Sequence, residues 1–400
     1  MSHLRAARIA GLVFVAFASV LPAQSRVPLR PRLVAGADTN DAASYYAAGI
    51  TLIERDPKTA ADAFYWATRL EPTHADAFYA RRVALHLTDR QRLRRYWSGE
   101  RGTLRDKEVQ RIDSLQLRAL SLNPFLYLKL DGALLQRIVS EIASEIAGTS
   151  GNRLAVEWEI ENWLRDAPPA TRAWRAYTQG NFDEALRLYA FAIKSARKKA
   201  GLRSDRGRLF FQLGRVDSAL VELRLAVEEM RKADKKDFVY VYESKALLEH
   251  SVALAHYRLG QTDAAREALG RALQEDLAFA PAHQQLSFMA FEARDTATAV
   301  SELDLAVQIA GEDEALRFAY GYILAQVGKL TESEEQLRKA IALNPHYASP
   351  HFTLGHVLAA LKRDADATAE LRTFLGLAAR SDPRRAEAEQ GLTQLGGGTR

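Results

Sequence analysis

Leu269, Leu303, Leu337 and Leu371 stand 34 residues apart, and smaller side chains keep step with them. Ala265, Ala299, Ser333 and Ala367 lie four positions before each leucine. Ala272, Ala306 and Ala340 lie three positions after it, with Phe374 taking that place in the last unit. Ala253, Ser287, Gly321 and Gly355 form another row with the same interval. A fixed interval of this length constrains the fold more than composition can. Each interval is one supersecondary unit that cannot bury its apolar face alone, so successive units stack into a solenoid. Short side chains mark where two helices approach closely, and the leucines fill the space between pairs.

The frame extends beyond these rows. The last full unit carries Leu354-Gly355, Leu358, Ala367, Leu371 and Phe374, and the one before it Tyr320-Gly321, Leu324, Ser333, Leu337, Ala340 and Pro345. Upstream, Gly207, Phe210, Gly214, Ala219, Leu223 and Ala226 fit, as do Trp174, Ala185, Tyr189 and Ala192. A first unit holds Gly49, Leu52, Phe64, Ala67 and Pro72, and a second ends at Ala119 and Pro124 with an insertion near 89–106. This pattern resembles the tetratricopeptide repeat, whose unit runs W-x2-L-G-x2-Y, then A-x3-F, then A and a closing proline. The chain departs from it where Glu249, His283, Arg317 and His351 stand at the tryptophan position, and where Pro345 alone closes a C-terminal unit. The resemblance implies an all-α fold, a helical-hairpin solenoid coiled as a right-handed α-superhelix.

Helix pairs are predicted near 42–55 and 58–70, 75–88 and 107–122, 170–179 and 182–198, and 203–213 and 216–232. Four more pairs follow near 244–275, 280–309, 314–343 and 348–379, with Gly180, Gly214, Gly260 and Gly328 at the turns within pairs. Between Gly207 and Ala253 the interval stretches to 46, which places an extended helix or protruding loop near 231–242. The chain divides into a leader at 24–41, N-terminal repeats at 42–124, linking helices at 125–168, a C-terminal array at 169–381, and a capping helix and tail at 382–400. Within the linker, Leu134, Ile138, Ile142 and Ile146 form one apolar stripe, with Asp131 as its expected N-cap. Leu303 and Leu337 are expected between helices, and their neighbours Glu302 and Gln336 in solvent.

The N-terminus reads as a secretory signal. Arg5 and Arg8 precede an uncharged run from Ile9 to Leu21, too short to span a bilayer, followed by Pro22-Ala23-Gln24. Cleavage is expected after Ala23, with Ala16-Phe17-Ala18 as the alternative, and the mature chain in the periplasm or outside the cell. The chain has no cysteine, so stability must come from helix stacking rather than disulfides. Loss of the signal lowers the formal charge from +5 to +3.

Basic residues are unevenly spread. Ten Lys/Arg face four acids between Arg81 and Arg111, including Arg92, Arg94 and Arg95, and a second run spans Arg197 to Arg208. These could dock on an acidic polymer or membrane, or serve as solvated helix faces with charge partners nearby. No nucleic-acid recognition motif accompanies them, and none is expected as a partner.

Catalytic signatures are missing from the sequence. Gly321 to Gly328-Lys329 lacks phosphate-loop spacing, and His346, His351 and His356 fall on different helix faces. No metal or cofactor is expected. The family resemblance instead implies an inner groove lined by the first helix of each pair, bordered by Tyr257, Phe288, Phe291, Phe318, Tyr322, Phe352 and His356. Those aromatics either grip an extended peptide or helix, or pack between neighbouring first helices. The family's carboxylate clamp is not supported, since Leu254, Phe288, Tyr322 and His356 hold the relevant inner position. The function implied is a non-enzymatic protein-interaction scaffold of the cell envelope. The alternatives are a basic docking surface and a helical domain of an unrecognised hydrolase.

Overall fold

The computed structural model describes residues 27–97, 106–134, 165–233 and 244–396, with isolated positions 136, 137, 140, 158 and 162. The signal, residues 98–105 of the insertion near 89–106, most of the linking helices and most of the loop expected near 231–242 lie outside the described residues.

Every regular element among the described residues is an α-helix. The N-terminal part comprises α1 (Ala42–Leu52), α2 (Pro57–Leu70), α3 (Ala75–Thr88), α4 (Arg90–Trp97) and α5 (Lys107–Leu122). Three hairpins follow: α6 (Pro169–Thr178) with α7 (Phe182–Ser195), α8 (Ala200–Gln212) with α9 (Val216–Ala233), and α10 (Lys245–Arg258) with α11 (Thr262–Glu275). Three more pair α12 (Ala280–Glu292) with α13 (Thr296–Ile309), α14 (Glu314–Gln326) with α15 (Leu330–Leu343), and α16 (Ala348–Ala360) with α17 (Asp364–Leu377). Helix α18 (Arg384–Gly396) lies against α17, burying Ala388.

The periodic rows form the core. Leu269, Leu303, Leu337 and Leu371 are buried, together with the alanines, Ser333 and Phe374 that keep step with them. The glycines show how close the helices come. A Cβ added at Gly321 would stand 2.8 Å from Leu337 Cγ, and one at Gly355 2.7 Å from Leu371. Where the row holds Ser287 instead, its hydroxyl donates to the Ala299 carbonyl at 2.7 Å. Ser333 closes the same gap from the other helix, donating to the Gly321 carbonyl.

Turns within hairpins need a left-handed residue, which glycine adopts without a Cβ clash. Gly180, Gly214, Gly260 and Gly328 take φ between 72° and 80° there. In the α12–α13 and α16–α17 turns the same place falls to Arg294 and Lys362, each held at φ 62°.

The tryptophan position of the repeat pattern holds a polar chemistry here. Arg203 donates to Glu222 at 3.0 Å, His283 Nδ1 meets Glu302 at 2.7 Å, Arg317 donates to Gln336 at 2.7 Å, and His351 Nδ1 meets Glu370 at 2.6 Å. Each pair spans 19 residues and joins the first helix of a hairpin to its second. In the α10–α11 hairpin Ala268 stands at the second place, and buried Glu249 accepts from Arg271 and Arg231 instead. Glu302 and Gln336, expected in solvent, are therefore committed to these pairs, and Gln336 is buried.

The two ends of the solenoid meet. Asn344, fully buried before α16, donates to the Arg69 carbonyl at 2.8 Å, and Arg69 donates to the Leu343 carbonyl at 2.9 Å. Trp66 packs edge-on to His346, and Arg118 pairs with Asp313. Residues 27–41, expected as a loose leader, make specific bonds: Trp66 donates to the Pro28 carbonyl, Arg380 to the Gly36 carbonyl, and Asn40 to the Gly376 carbonyl. These hydrogen bonds tie the leader's backbone and side chains to α2 and to the residues around the end of α17.

Candidate peptide-binding groove

The first helices of the hairpins carry a repeating set of side chains around each small residue of the tight row. Four residues after it come Tyr177, Phe211, Tyr257 and Phe291, and one residue after it Arg208, Leu254, Phe288, Tyr322 and His356. Successive first helices bring these positions into line on one face.

Part of that face already holds peptide. The segment following α5, Asn123–Leu128, runs without helix across α6 and α8. Phe125 stacks on Phe211 with ring centroids 3.5 Å apart and planes 4° from parallel. Arg208 Nε donates to the Pro124 carbonyl at 3.1 Å, and Gln212 Nε2 to the Phe125 carbonyl at 2.8 Å. The Leu128 amide donates to the Tyr177 hydroxyl, while Tyr127 donates to the Tyr177 carbonyl. Side-chain donors therefore hold main-chain carbonyls, and aromatic rings hold side chains, which is how a groove grips an extended chain. Burial pushes the Tyr177 phenol up to about 12, so its hydroxyl stays protonated at neutral pH.

Beyond this segment the face opens. A cleft of about 630 Å³ is walled by Leu122–Phe125 and Phe211 on one side, and by Leu254, Tyr257, Arg258 and Glu292 on the other. Tyr257 donates to Glu292, and that bond raises its phenol pKa. Phe288 and Tyr322 continue the line 37% and 42% exposed, followed by half-buried His356.

The sequence-derived groove residues thus divide. Tyr257, Phe288, Tyr322 and His356 border open space. Phe318 packs edge-on to Tyr347, Phe352 packs on Phe374 beneath the Arg384 guanidinium, and half-buried Phe291 packs against the α12–α14 core. Arg208 and Gln212 escaped the sequence reading. Their place beside the tight row was the available signal, but nothing marked residues 123–128 as their ligand.

The basic stretches are mostly spoken for. Arg82 donates to Asp113 at 3.0 Å beside buried His86, and Arg92 donates to the Leu85 carbonyl and pairs with Asp89. Arg95 is exposed, while the Arg94 side chain lies outside the described residues. In the second run, Arg203 and Arg206 both pair with Glu222. Asp131, expected as an N-cap, instead accepts from the Tyr79 hydroxyl at 2.9 Å near Arg82. No helix among the described residues is long and apolar enough to cross a membrane.

A family model described as TPR repeat matches residues 321–362, the α14–α16 stretch. Solved structures with similar folds include YrrB, a TPR protein with an unusual peptide-binding site, at 18% identity and a TM-score of 0.40, covering 50% of this chain and 97% of that one. The C-terminal part of a TPR repeat-containing protein from Cytophaga hutchinsonii aligns at 13% identity and a TM-score of 0.45, covering 56% and 83%. The Cut9–Hcn1 hetero-tetramer of APC/C aligns at 14% identity and a TM-score of 0.41, covering 88% and 76%. No curated protein matches the chain. The matched repeat lies within the C-terminal array, where the buried 34-residue rows extend a stack of helical hairpins similar to tetratricopeptide repeats.

Proposed function

We propose that this protein is a non-enzymatic scaffold of the cell envelope that binds a partner protein as an extended segment on its first-helix face. The observation carrying this reading is Asn123–Leu128, which rests on the same positions that stand open further along. A face that already holds extended backbone through Arg208, Gln212 and Phe211 offers the same kind of grip at Tyr257, Phe288 and Tyr322. The aromatics supply contact area at low entropy cost, as binding hot spots do.

Capture of a partner from an envelope extract tests this. Phe288→Ala with Tyr322→Ala should abolish capture with helical content unchanged, and capture by the parent chain should survive several-fold changes in salt. Charge reversal at Arg92, Arg94 and Arg95 should leave it nearly intact, because exposed charges are screened beyond roughly 10 Å at 0.1 M salt. Capture lost with the arginines and kept without the aromatics would favour the basic surface. Export is supported by the basic start, short apolar run and small residues at Met1–Ala23. The mature chain should begin at or near Gln24 in the envelope fraction, and an intact Met1 in the cytosol would overturn that placement.

A further inference from the structure

We infer that the cleft between Phe125 and Tyr257 is a subsite for a large apolar or aromatic side chain of an extended peptide partner, with Arg258 holding that peptide's main chain. This deepens the reading of the first-helix face as a binding surface and rests on it.

The inference comes from continuity with the segment already seated. Phe211 and Gln212 stand four and five residues after Gly207, and they bind the Phe125 ring and carbonyl. Tyr257 and Arg258 stand four and five residues after Ala253, the equivalent small residue of the next hairpin. The same aromatic-then-donor couple therefore recurs one hairpin along, facing the cleft rather than the chain's own backbone. Arg258 is exposed and forms no ion pair among the described residues, so its guanidinium is available to a carbonyl.

The cleft's size fits this occupant. Ligand clefts span roughly 300–1,000 Å³, and 630 Å³ holds one aromatic side chain with its flanking backbone. Leu254, Phe211 and Phe125 provide apolar lining, and Tyr257 presents a ring whose hydroxyl is tied to Glu292. Offset or edge contacts with these rings favour an aromatic occupant over an aliphatic one.

A labelled peptide copying Asn123–Lys129 (Asn-Pro-Phe-Leu-Tyr-Leu-Lys) is the probe, titrated against the full chain by fluorescence anisotropy. Saturable binding is expected, weakened about tenfold when the peptide's phenylalanine becomes alanine and about tenfold by Tyr257→Ala in the protein, the size of one good aromatic contact. Thr262→Trp narrows the cleft from its rim without deleting a packing group, so it should block the probe even if Tyr257→Ala perturbs folding. No binding, or binding indifferent to both Tyr257→Ala and Thr262→Trp, overturns the subsite. Should that happen while Phe288→Ala with Tyr322→Ala still abolishes partner capture, the broader groove reading stands and this subsite alone falls.

Discussion

His351 Nδ1 lies 2.6 Å from Glu370 Oε2, joining the two helices of the last hairpin at the place where the repeat pattern puts a tryptophan. Arg317–Gln336 and His283–Glu302 repeat that link in the two preceding hairpins. A bulky ring fills such a space by volume, whereas here a polar bridge spans it, and its groups must stay paired to repay their burial. Glu302→Ala and Gln336→Ala should each destabilise by about 1–3 kcal/mol, the cost of stranding a partly buried partner. Urea unfolding with the double variants His283→Ala/Glu302→Ala and Arg317→Ala/Gln336→Ala checks the coupling. Strictly additive losses would mean that these pairs contribute nothing as pairs.

The tight row predicts a second coupling. Gly321→Ala pushes a Cβ to 2.8 Å from Leu337, so it should cost about 1–3 kcal/mol through overpacking. Leu337→Ala alone should cost about 2–5 kcal/mol through a cavity. Combined, the two should lose less than their sum, because the added methyl enters the space that the leucine vacates. Denaturant midpoints of the four proteins decide it.

Two turns store removable strain. Arg294 and Lys362 occupy the left-handed region that glycine fills in the neighbouring hairpins. A non-glycine residue there costs roughly 1–2 kcal/mol, partly offset by the greater unfolded-state freedom of glycine. Arg294→Gly and Lys362→Gly should therefore each stabilise by about 0.5–1 kcal/mol, measurable as higher unfolding midpoints. Equal losses at both would show that their side chains matter more than the backbone.

Buried His250 gives the protein a pH dependence. Desolvation lowers its pKa from 6.5 to about 4, with its ring edge-on to Phe279. Below pH 6.5 the unfolded chain takes up a proton there that the folded chain refuses. The stability held above that pH is thus lost as pH falls towards 4, by an amount on the order of 3 kcal/mol at 1.36 kcal/mol per unit. His250→Leu should flatten this part of the profile. Unfolding free energies of both proteins between pH 7 and 4.5 test it, since other groups cancel in the difference. Parallel profiles would exclude His250 as the source.

Helix positions, the buried leucine rows and the glycine turns were legible because they repeat: a 34-residue interval averages out local ambiguity, and Gly180, Gly214, Gly260 and Gly328 announce their own φ. The turns at Arg294 and Lys362 were not marked, since packing of the flanking hairpins overrides their local preference. Glu302 and Gln336 were misread because polarity alone does not reveal a partner 19 residues away. The closure through Asn344 and Arg69 spans 275 residues, beyond any periodic signal. For the groove, Tyr257, Phe288 and Tyr322 could be placed by register, but its occupation by Asn123–Leu128 could not, because that segment falls outside the repeat.

The central claim is that the first-helix face, and not the outer helices, meets the partner. A photo-crosslinking residue placed in cells at Phe288 or Tyr322, and separately at Val221 or Leu305 on the exposed side of α9 and α13, tests this directly. The account predicts adducts of higher mass from the first two positions and none from the second pair. Adducts from Val221 or Leu305, or from none of the four, would contradict it.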